Sequence, residues 1–468
     1  MPHTTPTTHP APDDLDGVLA IGEYRPGSAA VLTDAERWPT LTADGRARLQ
    51  ALRTHPHAPR WSHETGDRLT ADAVARVVAE SIPPQTDWLD AHLNTARLLP
   101  AYRGRRDRLY RLADFPTLTR DNLLADIAAY VPYDADLTQL LHGTSSGSTG
   151  HALAIPDDIE DTARTFWFMV RLARNLGVDW RPDPTRMALA HIVAQRQAFT
   201  YASILSAFDQ MTMARLNLDP RSWPERDSFL LDQQPQVFSG TPAALETLLA
   251  PRLRAVLQPL ALFSSATDLA PALRRDLETT YRVPVIDIYS LHETRPIAFR
   301  ADDGPFRVVD RRVLVEIRTD DGQLTTTPGA VGEIVVTAGE NPLLPLARYR
   351  TGDFGRLIEV DGRPALTDLH GRADVRFRSA TGTEVPCVDL TQQLQRCGAR
   401  GWTVHQHPDG SVTAVLAGGD RLLAERALSA LLRQSVQVSL VDSITDLGPG
   451  KPRRYRSDAS QDPYRPLR

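Results

Sequence analysis

Lysine is almost missing from this sequence. A single lysine, Lys451, stands among 53 basic residues in a chain of 468, so arginine serves wherever a generic positive charge suffices. Lysine is a compact, strongly hydrated point charge on a flexible stem, whereas arginine presents a wide planar fork. The retained lysine therefore indicates a site at which a guanidinium would not serve. The alternative is chance retention on a solvated tail.

Cysteine and long apolar runs are also scarce. Cys387 and Cys397 are the only two cysteines, and no histidine stands near them at metal-ligand spacing. This excludes a disulfide framework and a zinc site, and we expect reduced thiols in a cytoplasmic protein. No stretch approaches about eighteen consecutive apolar residues, so no membrane span is expected. The first residues lack the charged and apolar regions of a secretory signal.

Charge of one sign is not in excess. The net charge is −5, and the 24% of charged residues are of both signs and interspersed. No electrostatic footprint for nucleic acid or an anionic membrane is therefore indicated. Apolar content of 41% is that of an ordinary globular protein. A length of 468 residues predicts two or more domains.

Hydrophobic periodicity predicts an α/β protein. Amphipathic helices are expected at 71–82, 88–99 and 158–176, with a capped helix start near residue 119. Between 185 and 300, short apolar runs alternate with helical patterns, which favours a largely parallel sheet. Strands are expected at 187–192, 237–238, 261–263 and 285–289, and helices at 201–210, 242–249 and 271–280.

The pattern changes towards the C-terminus. Alternating strands at 313–319, 332–337 and 353–360 predict a small β-barrel-like part or antiparallel sheet. A separate α+β module is then expected, with strands at 402–406, 412–416 and 436–441, a Pro408-Asp409-Gly410 turn and a helix at 421–432. The expected domains are a disordered tail (1–15), a large layered N-terminal domain (16–373) and a mobile C-terminal lid (374–468).

A loop rich in Gly, Ser and Thr precedes the helix at 158–176. It reads Thr144, Ser145, Ser146, Gly147, Ser148, Thr149 and Gly150. Backbone N–H groups and small hydroxyls of this kind can surround an anion. The spacing is not that of a Walker loop, because no lysine follows the glycine. A flexible linker is the alternative.

Four stretches in order resemble motifs of the adenylate-forming superfamily, most closely its phenylacetate–CoA ligase-like branch. They are the loop at 144–150, Tyr289-Ser290-Leu291-His292-Glu293, Tyr349-Arg350-Thr351-Gly352-Asp353 followed by Gly371-Arg372-Ala373-Asp374, and Gly450-Lys451-Pro452-Arg453-Arg454. The Pro-x-Leu-Thr-Arg stretch at 116–120 also resembles this branch. The similarity runs from about residue 85 to 456.

The resemblance implies roles for individual residues. The loop Thr144, Ser145, Ser146, Gly147, Ser148, Thr149 and Gly150 would hold the phosphates of ATP. Tyr289 would stack on adenine, Asp353 would bind the ribose hydroxyls and Arg372 the ribose or a phosphate. Glu293 would bind Mg²⁺, and Asp374 would be the hinge of the lid. Lys451 would contact the substrate carboxylate and the bridging oxygen near the α-phosphate, where negative charge grows during transfer.

The substrate pocket is less well defined. By position, its candidate lining residues are Gln195, Phe199, Tyr201, Phe238 and Phe263. Mixed aromatic and polar lining suits an aryl acid, although a packed core would use the same aromatic residues. Thr381 stands where relatives carry a glycine beside the pantetheine tunnel, and Val375 replaces a second acidic residue. Both departures leave the acceptor open.

These observations predict a ligase that uses ATP and Mg²⁺ to adenylate a small, preferably aromatic, carboxylic acid and then transfers it. Coenzyme A is the acceptor by resemblance. A carrier-protein thiol, an amine, or activation of nitrite for diazotisation of an aryl amine are alternatives. A nucleotide-binding scaffold without catalysis is a further one. Nucleic acid and membrane partners are not expected, and a homodimer stays open.

Overall fold

The computed structural model describes residues 32–79, 87–136, 141–145, 153–195, 198–371, 375–448 and 453–458. Within them, helices α1 to α12 span Asp34–Arg37, Ala43–Arg53, Ala71–Ala79, Trp88–Ala96, Arg120–Ala125, Ile159–Asn175, Arg226–Gln233, Pro242–Thr247, Pro251–Arg254, Pro271–Tyr281, Cys387–Arg396 and Arg421–Leu432. Strands β1 to β21 span Leu141–Ser145, Leu153–Asp157, Leu189–Val193, Tyr201–Leu205, Met211–Asn217, Val237–Gly240, Ala261–Ser264, Val285–Leu291, Arg295–Arg300, Phe306–Val308, Val313–Arg318, Leu324–Thr325, Val331–Ala338, Leu346–Val360, Arg363–His370, Arg376–Arg378, Glu384–Pro386, Gly401–Gln406, Val412–Ala417, Val436–Val441 and Tyr455–Ser457.

A mixed sheet of 13 strands organises the large domain, in the order β12-β11-β13-β14-β15-β10-β9-β8-β7-β6-β3-β5-β4. Strands β5, β3, β6, β7 and β8 are parallel neighbours. Helices α8 and α10 lie between successive parallel strands in the chain, as expected for α/β connections. From β8 onwards the pairing is antiparallel. The predicted α/β class is confirmed, and the predicted antiparallel part continues the same sheet.

The helix predicted at 201–210 is wrong, because this segment forms β4 and the turn into β5. Asp209 and Gln210 adopt left-handed backbone angles, with φ of 53° and 51°. These angles reverse the chain, and β4 then pairs antiparallel with β5. The Gln210 side chain holds the turn, since its Nε2 donates to the Thr40 carbonyl at 2.7 Å. Tertiary pairing thus overrides a helical pattern of apolar residues.

Side chains alternate between two buried faces of the parallel strands. Val237, Phe263 and Ile286 belong to one core cluster, whereas Phe238 and Val285 belong to the other. This follows from the two-residue period of a strand and from helices covering both faces of a parallel sheet. Phe238 and Phe263 are 0% exposed and therefore lie in separate cores.

Local signals place the helices near the site. Helix α6 begins after Asp158, whose Oδ1 accepts from the Asp161 amide at 2.8 Å, and it confirms the prediction at 158–176. Thr119 and Asn122 form a capping box at the start of α5, as predicted. Such a cap contributes about 1 kcal/mol. Helix α3 matches the described part of the prediction at 71–82, and α4 matches the prediction at 88–99 but ends at Ala96.

The C-terminal module is a four-stranded sheet in the order β20-β19-β18-β21, packed with α11 and α12. The helix at 421–432 and the strand at 436–441 have the predicted bounds. Gly410, at φ 85°, closes the turn between β18 and β19. Strand β21 is an addition that the sequence did not predict, and it runs parallel to β18.

Two acidic residues of the large domain hold this module. Glu246 accepts from the Ser443 hydroxyl at 2.9 Å and from the Ile444 amide at 2.7 Å. Arg454, which directly precedes β21, donates to a carboxylate oxygen of Asp268 at 2.8 Å. Both ends of the segment that contains Lys451 are therefore joined to the large domain. Lys451 itself and the predicted hinge residue Asp374 lie outside the described residues.

Buried His92 on α4 predicts a pH effect on stability. Its Nε2 contacts the Leu346 carbonyl at 3.0 Å, and burial lowers its pKa to about 4. Between about pH 6.5 and 4 the His92 imidazole is therefore protonated in the unfolded chain but neutral in the folded protein. The free energy of unfolding should therefore decrease as the pH is lowered from about 6.5 to 4, by up to about 1.4 kcal/mol per pH unit.

His92→Gln keeps a donor for the Leu346 carbonyl and removes the titration. We expect its thermal midpoint to fall less steeply than that of the unmodified protein between pH 6.5 and 4. His407→Gln, at a half-exposed position in the C-terminal module, is the control and should behave like the unmodified protein. Equal slopes for all three proteins would contradict the assignment.

Candidate active site

Two hydrogen bonds join the end of β8 to strand β14. Tyr289 donates through its hydroxyl to Asp353 Oδ2 at 2.9 Å. Tyr349 donates through its hydroxyl to Glu293 Oε1 at 2.6 Å. Glu293 and Tyr349 are both buried, so this bond to a charged acceptor is worth about 1.5–3 kcal/mol. Three residues predicted for one site, Tyr289, Glu293 and Asp353, are thus brought together.

A bulge in β14 aims Asp353. Arg350 pairs with Val335 and Phe354 with Glu333, so three residues of β14 lie opposite the single residue Ile334. Gly352 occupies the left-handed region at φ 74°, where a Cβ would be strained. The Thr351 hydroxyl donates to the Ile334 carbonyl at 2.8 Å and accepts from the Asp353 amide at 3.0 Å. The Thr-Gly-Asp sequence therefore forms the bulge that turns the Asp353 carboxylate out of β14.

The Pro-x-Leu-Thr-Arg stretch at 116–120 places the Arg120 guanidinium near Glu293. The Leu118 amide donates to the Arg348 carbonyl at 3.0 Å, and the Arg350 amide donates to the Leu118 carbonyl at 2.7 Å. Arg120, the first residue of α5, then places its Nη1 3.8 Å from Glu293 Oε1. The sequence reasoning missed Arg120 and Tyr349 as site residues. Both stand inside the quoted motifs, which was the available signal.

Buried ion pairs tie this cluster to the strands on either side of the predicted phosphate-binding loop. Arg295 contacts Asp157 at 2.8 Å and Asp161 at 2.7 Å, and His292 Nε2 lies 2.9 Å from Asp157. Burial alone would raise the pKa of Asp157, but the hydrogen bond from His292 and the charge of Arg295 hold it below its ordinary value. Asp157 ends β2, the antiparallel partner of β1. The hairpin that carries the predicted loop is therefore held against the segment that carries Glu293.

Several predicted site residues lie outside the described residues. They are Ser146, Gly147, Ser148, Thr149, Gly150, Arg372, Asp374 and Lys451. Thr144 and Ser145 end β1, so the described chain enters the loop from a strand. Gly371 lies beside Asp353, since a Cβ on it would be 3.6 Å from Asp353 Oδ1. The chain therefore approaches position 372 next to the Asp353 carboxylate.

The five candidate lining residues do not form one group. Phe199 and Tyr201 are stacked, with ring centroids 6.2 Å apart and planes at 22°. Gln195 follows β3, and its backbone amide donates to Asn217 Oδ1 at 3.1 Å. Phe238 and Phe263 fill the two cores described above. Phe199, Tyr201 and Gln195 remain predicted pocket residues.

Thr381 lies in the turn between β16 and β17. Its hydroxyl lies 3.0 Å from that of Ser379 and 3.3 Å from that of Thr383. The next residue, Gly382, has a φ of 81°. The glycine that this turn needs is therefore one position later than in the motif that the sequence resembles.

In the described part of the chain, no group of three or more His, Cys, Asp or Glu side chains could hold a metal ion. Mg²⁺ does not need such a cage, because one or two carboxylates suffice together with substrate phosphates and water. Glu293 fits that requirement, since Tyr349 and Arg120 hold its carboxylate in place. Nor is any helix in the described residues long and apolar enough to cross a membrane.

No model of a protein family matches the sequence. The chain is 19% identical to protein CapK of Staphylococcus aureus over 284 residues, which are 60% of each chain. It is 26% identical to phenylacetate-coenzyme A ligase of Pseudomonas putida over 199 residues, 39% of this chain and 45% of that enzyme. The matches thus span 60% and 45% of these relatives' lengths.

The fold is shared with a solved ligase. The crystal structure of 2-hydroxyisobutyryl-CoA ligase, in the postadenylation state with 2-HIB-AMP, aligns with a TM-score of 0.58 at 17% identity. The alignment covers 82% of this chain and 89% of that one. The expected resemblance to the adenylate-forming superfamily is confirmed for the fold. The match to phenylacetate-coenzyme A ligase agrees with the expected branch.

Arg295→Met should destabilise the protein by about 3–5 kcal/mol, because it removes the guanidinium that the buried carboxylates of Asp157 and Asp161 share. Arg307→Met removes an exposed pair with Asp361 and should cost at most about 1 kcal/mol. Chemical denaturation of both variants measures the difference. Similar losses in the two variants would contradict a stabilising role of the buried network.

Proposed function

We propose that this chain, which has the fold of the adenylate-forming superfamily, activates a small carboxylic acid with ATP. The acid would be joined to the α-phosphate with release of pyrophosphate and then transferred to an acceptor. The observation that carries the proposal is the pair of hydrogen bonds that brings Tyr289, Glu293 and Asp353 together. These residues come from two motifs that are far apart in the sequence.

Nucleotidyl transfer needs charge neutralisation and in-line placement more than covalent help from the protein. The Asp353 carboxylate, turned out of β14, suits two ribose hydroxyls. Tyr289, held by Asp353 at 2.9 Å, presents a ring of fixed orientation for adenine. The loop at 144–150 and Arg372 would hold the phosphates. Mg²⁺ held by Glu293 would neutralise phosphate charge.

Lys451 would complete the site from the lid. It follows the 3₁₀ turn Ile444–Leu447 and precedes β21, and the contacts of Glu246 and Arg454 hold both sides of this segment. A small cation fits beside the substrate carboxylate and the bridging oxygen without displacing either group. The lid would span 374–468, with Asp374 as the hinge.

An aromatic acid is the substrate class we favour. The stacked rings of Phe199 and Tyr201 support it, because flat rings bind well against aromatic faces. Coenzyme A is the acceptor by resemblance to the phenylacetate–CoA ligase-like branch. The turn at Thr381 and Gly382 departs from the motif that the sequence resembles, and a carrier-protein thiol or an amine is the alternative acceptor.

Lys451→Ala should reduce acid-dependent pyrophosphate release by on the order of a hundredfold or more, since a charge-stabilising group is lost. ATP binding, measured by equilibrium dialysis, should persist. Lys451→Arg should be nearly as inactive, because the wider fork competes for the substrate's space. Arg456→Ala, at an exposed position, is the control. Unchanged pyrophosphate release in Lys451→Ala would refute this mechanism.

A separate measurement decides the acceptor. The protein is incubated with ATP, Mg²⁺ and a panel of aryl acids, with or without coenzyme A, and the products are identified by mass spectrometry. We expect acyl-AMP without coenzyme A and the thioester with it. Acyl-AMP that persists in the presence of coenzyme A would point to a carrier-protein thiol or an amine instead.

A further inference from the structure

The Glu293 carboxylate is held through one of its two oxygens. The Tyr349 hydroxyl donates to Oε1 at 2.6 Å, and Nη1 of Arg120 lies 3.8 Å from the same atom. A hydrogen-bond donor and a positive charge therefore share the Oε1 side of the carboxylate. A cation that approached Oε1 would have to displace the phenol and would be repelled by the guanidinium. The second oxygen, Oε2, is therefore the one that a cation can use.

Packing fixes the Tyr349 hydroxyl in this position. Tyr349 is 0% exposed and belongs to an apolar cluster with Leu118, Leu153 and Ile155. A ring enclosed in this way cannot swing aside when a cation arrives. Glu293 is 3% exposed, so protein groups rather than bulk water decide which of its oxygens a cation meets.

Divalent cations differ in how they use a carboxylate. Mg²⁺ is small, demands near-ideal octahedral geometry and retains several waters, so one carboxylate oxygen beside the substrate phosphates satisfies it. Ca²⁺ is larger, takes more oxygen ligands in flexible geometry and often binds both oxygens of one carboxylate. A carboxylate with one oxygen committed to a buried hydroxyl therefore suits Mg²⁺ and handicaps Ca²⁺.

We propose that Tyr349 is a specificity-determining residue, whose hydroxyl restricts Glu293 to coordination through one oxygen and thereby selects Mg²⁺ over Ca²⁺. Tyr349 acts through the carboxylate and does not touch the cation, as is common for groups that orient metal ligands. The tyrosine of the Tyr-Arg-Thr-Gly-Asp sequence then has a role separate from that of Asp353 at its other end. The assignment rests on the proposed function, in which Glu293 binds the Mg²⁺ that accompanies ATP.

Equilibrium dialysis of labelled ATP, with Mg²⁺ or Ca²⁺ in excess and without an acid substrate, measures the binding of each complex in the absence of turnover. We expect the unmodified protein to bind Mg·ATP more tightly than Ca·ATP by on the order of tenfold. Tyr349→Phe removes only the hydroxyl. Its affinity for Mg·ATP should fall by on the order of tenfold, because the carboxylate loses its orienting group. Its affinity for Ca·ATP should be retained or increase, because both oxygens become available.

Tyr281→Phe is the matched control. It removes another hydroxyl of the large domain, which donates to the Leu248 carbonyl at 2.6 Å, and should leave the ratio of the two affinities unchanged. A merely structural role of Tyr349 would weaken the binding of both complexes equally in Tyr349→Phe. Such an equal loss, or an unchanged ratio, would overturn the assignment.

Failure of this assignment and failure of the proposed function give different results. If the ratio depends on Tyr349 but no acid supports pyrophosphate release with Mg·ATP, adenylation is refuted and the cation assignment stands. If acids are adenylated but the ratio does not depend on Tyr349, adenylation stands and the assignment is refuted. Should Tyr349→Phe not fold, a preference for Mg·ATP that is lost in Glu293→Gln supports the assignment, and equal affinities in the unmodified protein overturn it.

Discussion

The bond from the Tyr349 hydroxyl to the buried Glu293 carboxylate is the constraint around which the site is arranged. A buried carboxylate is costly unless it receives hydrogen bonds or a cation, and Tyr349 and Arg120 supply both. Satisfying Glu293 brings β14 and the start of α5 to the end of β8. The same approach places Asp353 within reach of Tyr289. The contacts that stabilise the buried Glu293 carboxylate therefore also bring Asp353 and Tyr289 together.

Buried ion pairs extend this constraint to the hairpin β1–β2. Arg295 at the start of β9 pairs with Asp157 at the end of β2 and with Asp161 in α6, so two consecutive elements and a distant strand share one charge balance. The same ion pairs at the surface would contribute little to stability, because solvent screens exposed charges. Because it is buried, the network holds β2 and α6 firmly against the segment that carries Glu293.

The C-terminal module is attached differently, through contacts at both ends of the segment that contains Lys451. Glu246 binds the turn before it and Asp268 binds Arg454 after it. Burial raises the pKa of Glu246 despite these hydrogen bonds and the nearby Arg400, so its charge is held at some cost. Apolar contacts add to these polar bonds, since Ile444 packs against a core cluster of the large domain and Ala270 belongs to the core of the module.

The sequence by itself determined the chemistry-bearing residue types, the α/β class and the local elements whose signals are short in range. Thr119 and Asp158 start helices, Gly410 closes a hairpin, and the helix at 421–432 has the predicted bounds. Only the tertiary structure decided what depends on residues far apart in the chain. It turned 201–210 into a strand and a turn, placed Phe238 and Phe263 in separate cores, and added Arg120 and Tyr349 to the site. The reason is physical: caps and turns are satisfied by neighbours in sequence, whereas strand register and the pairing of buried charges are satisfied by whichever segments the fold brings together.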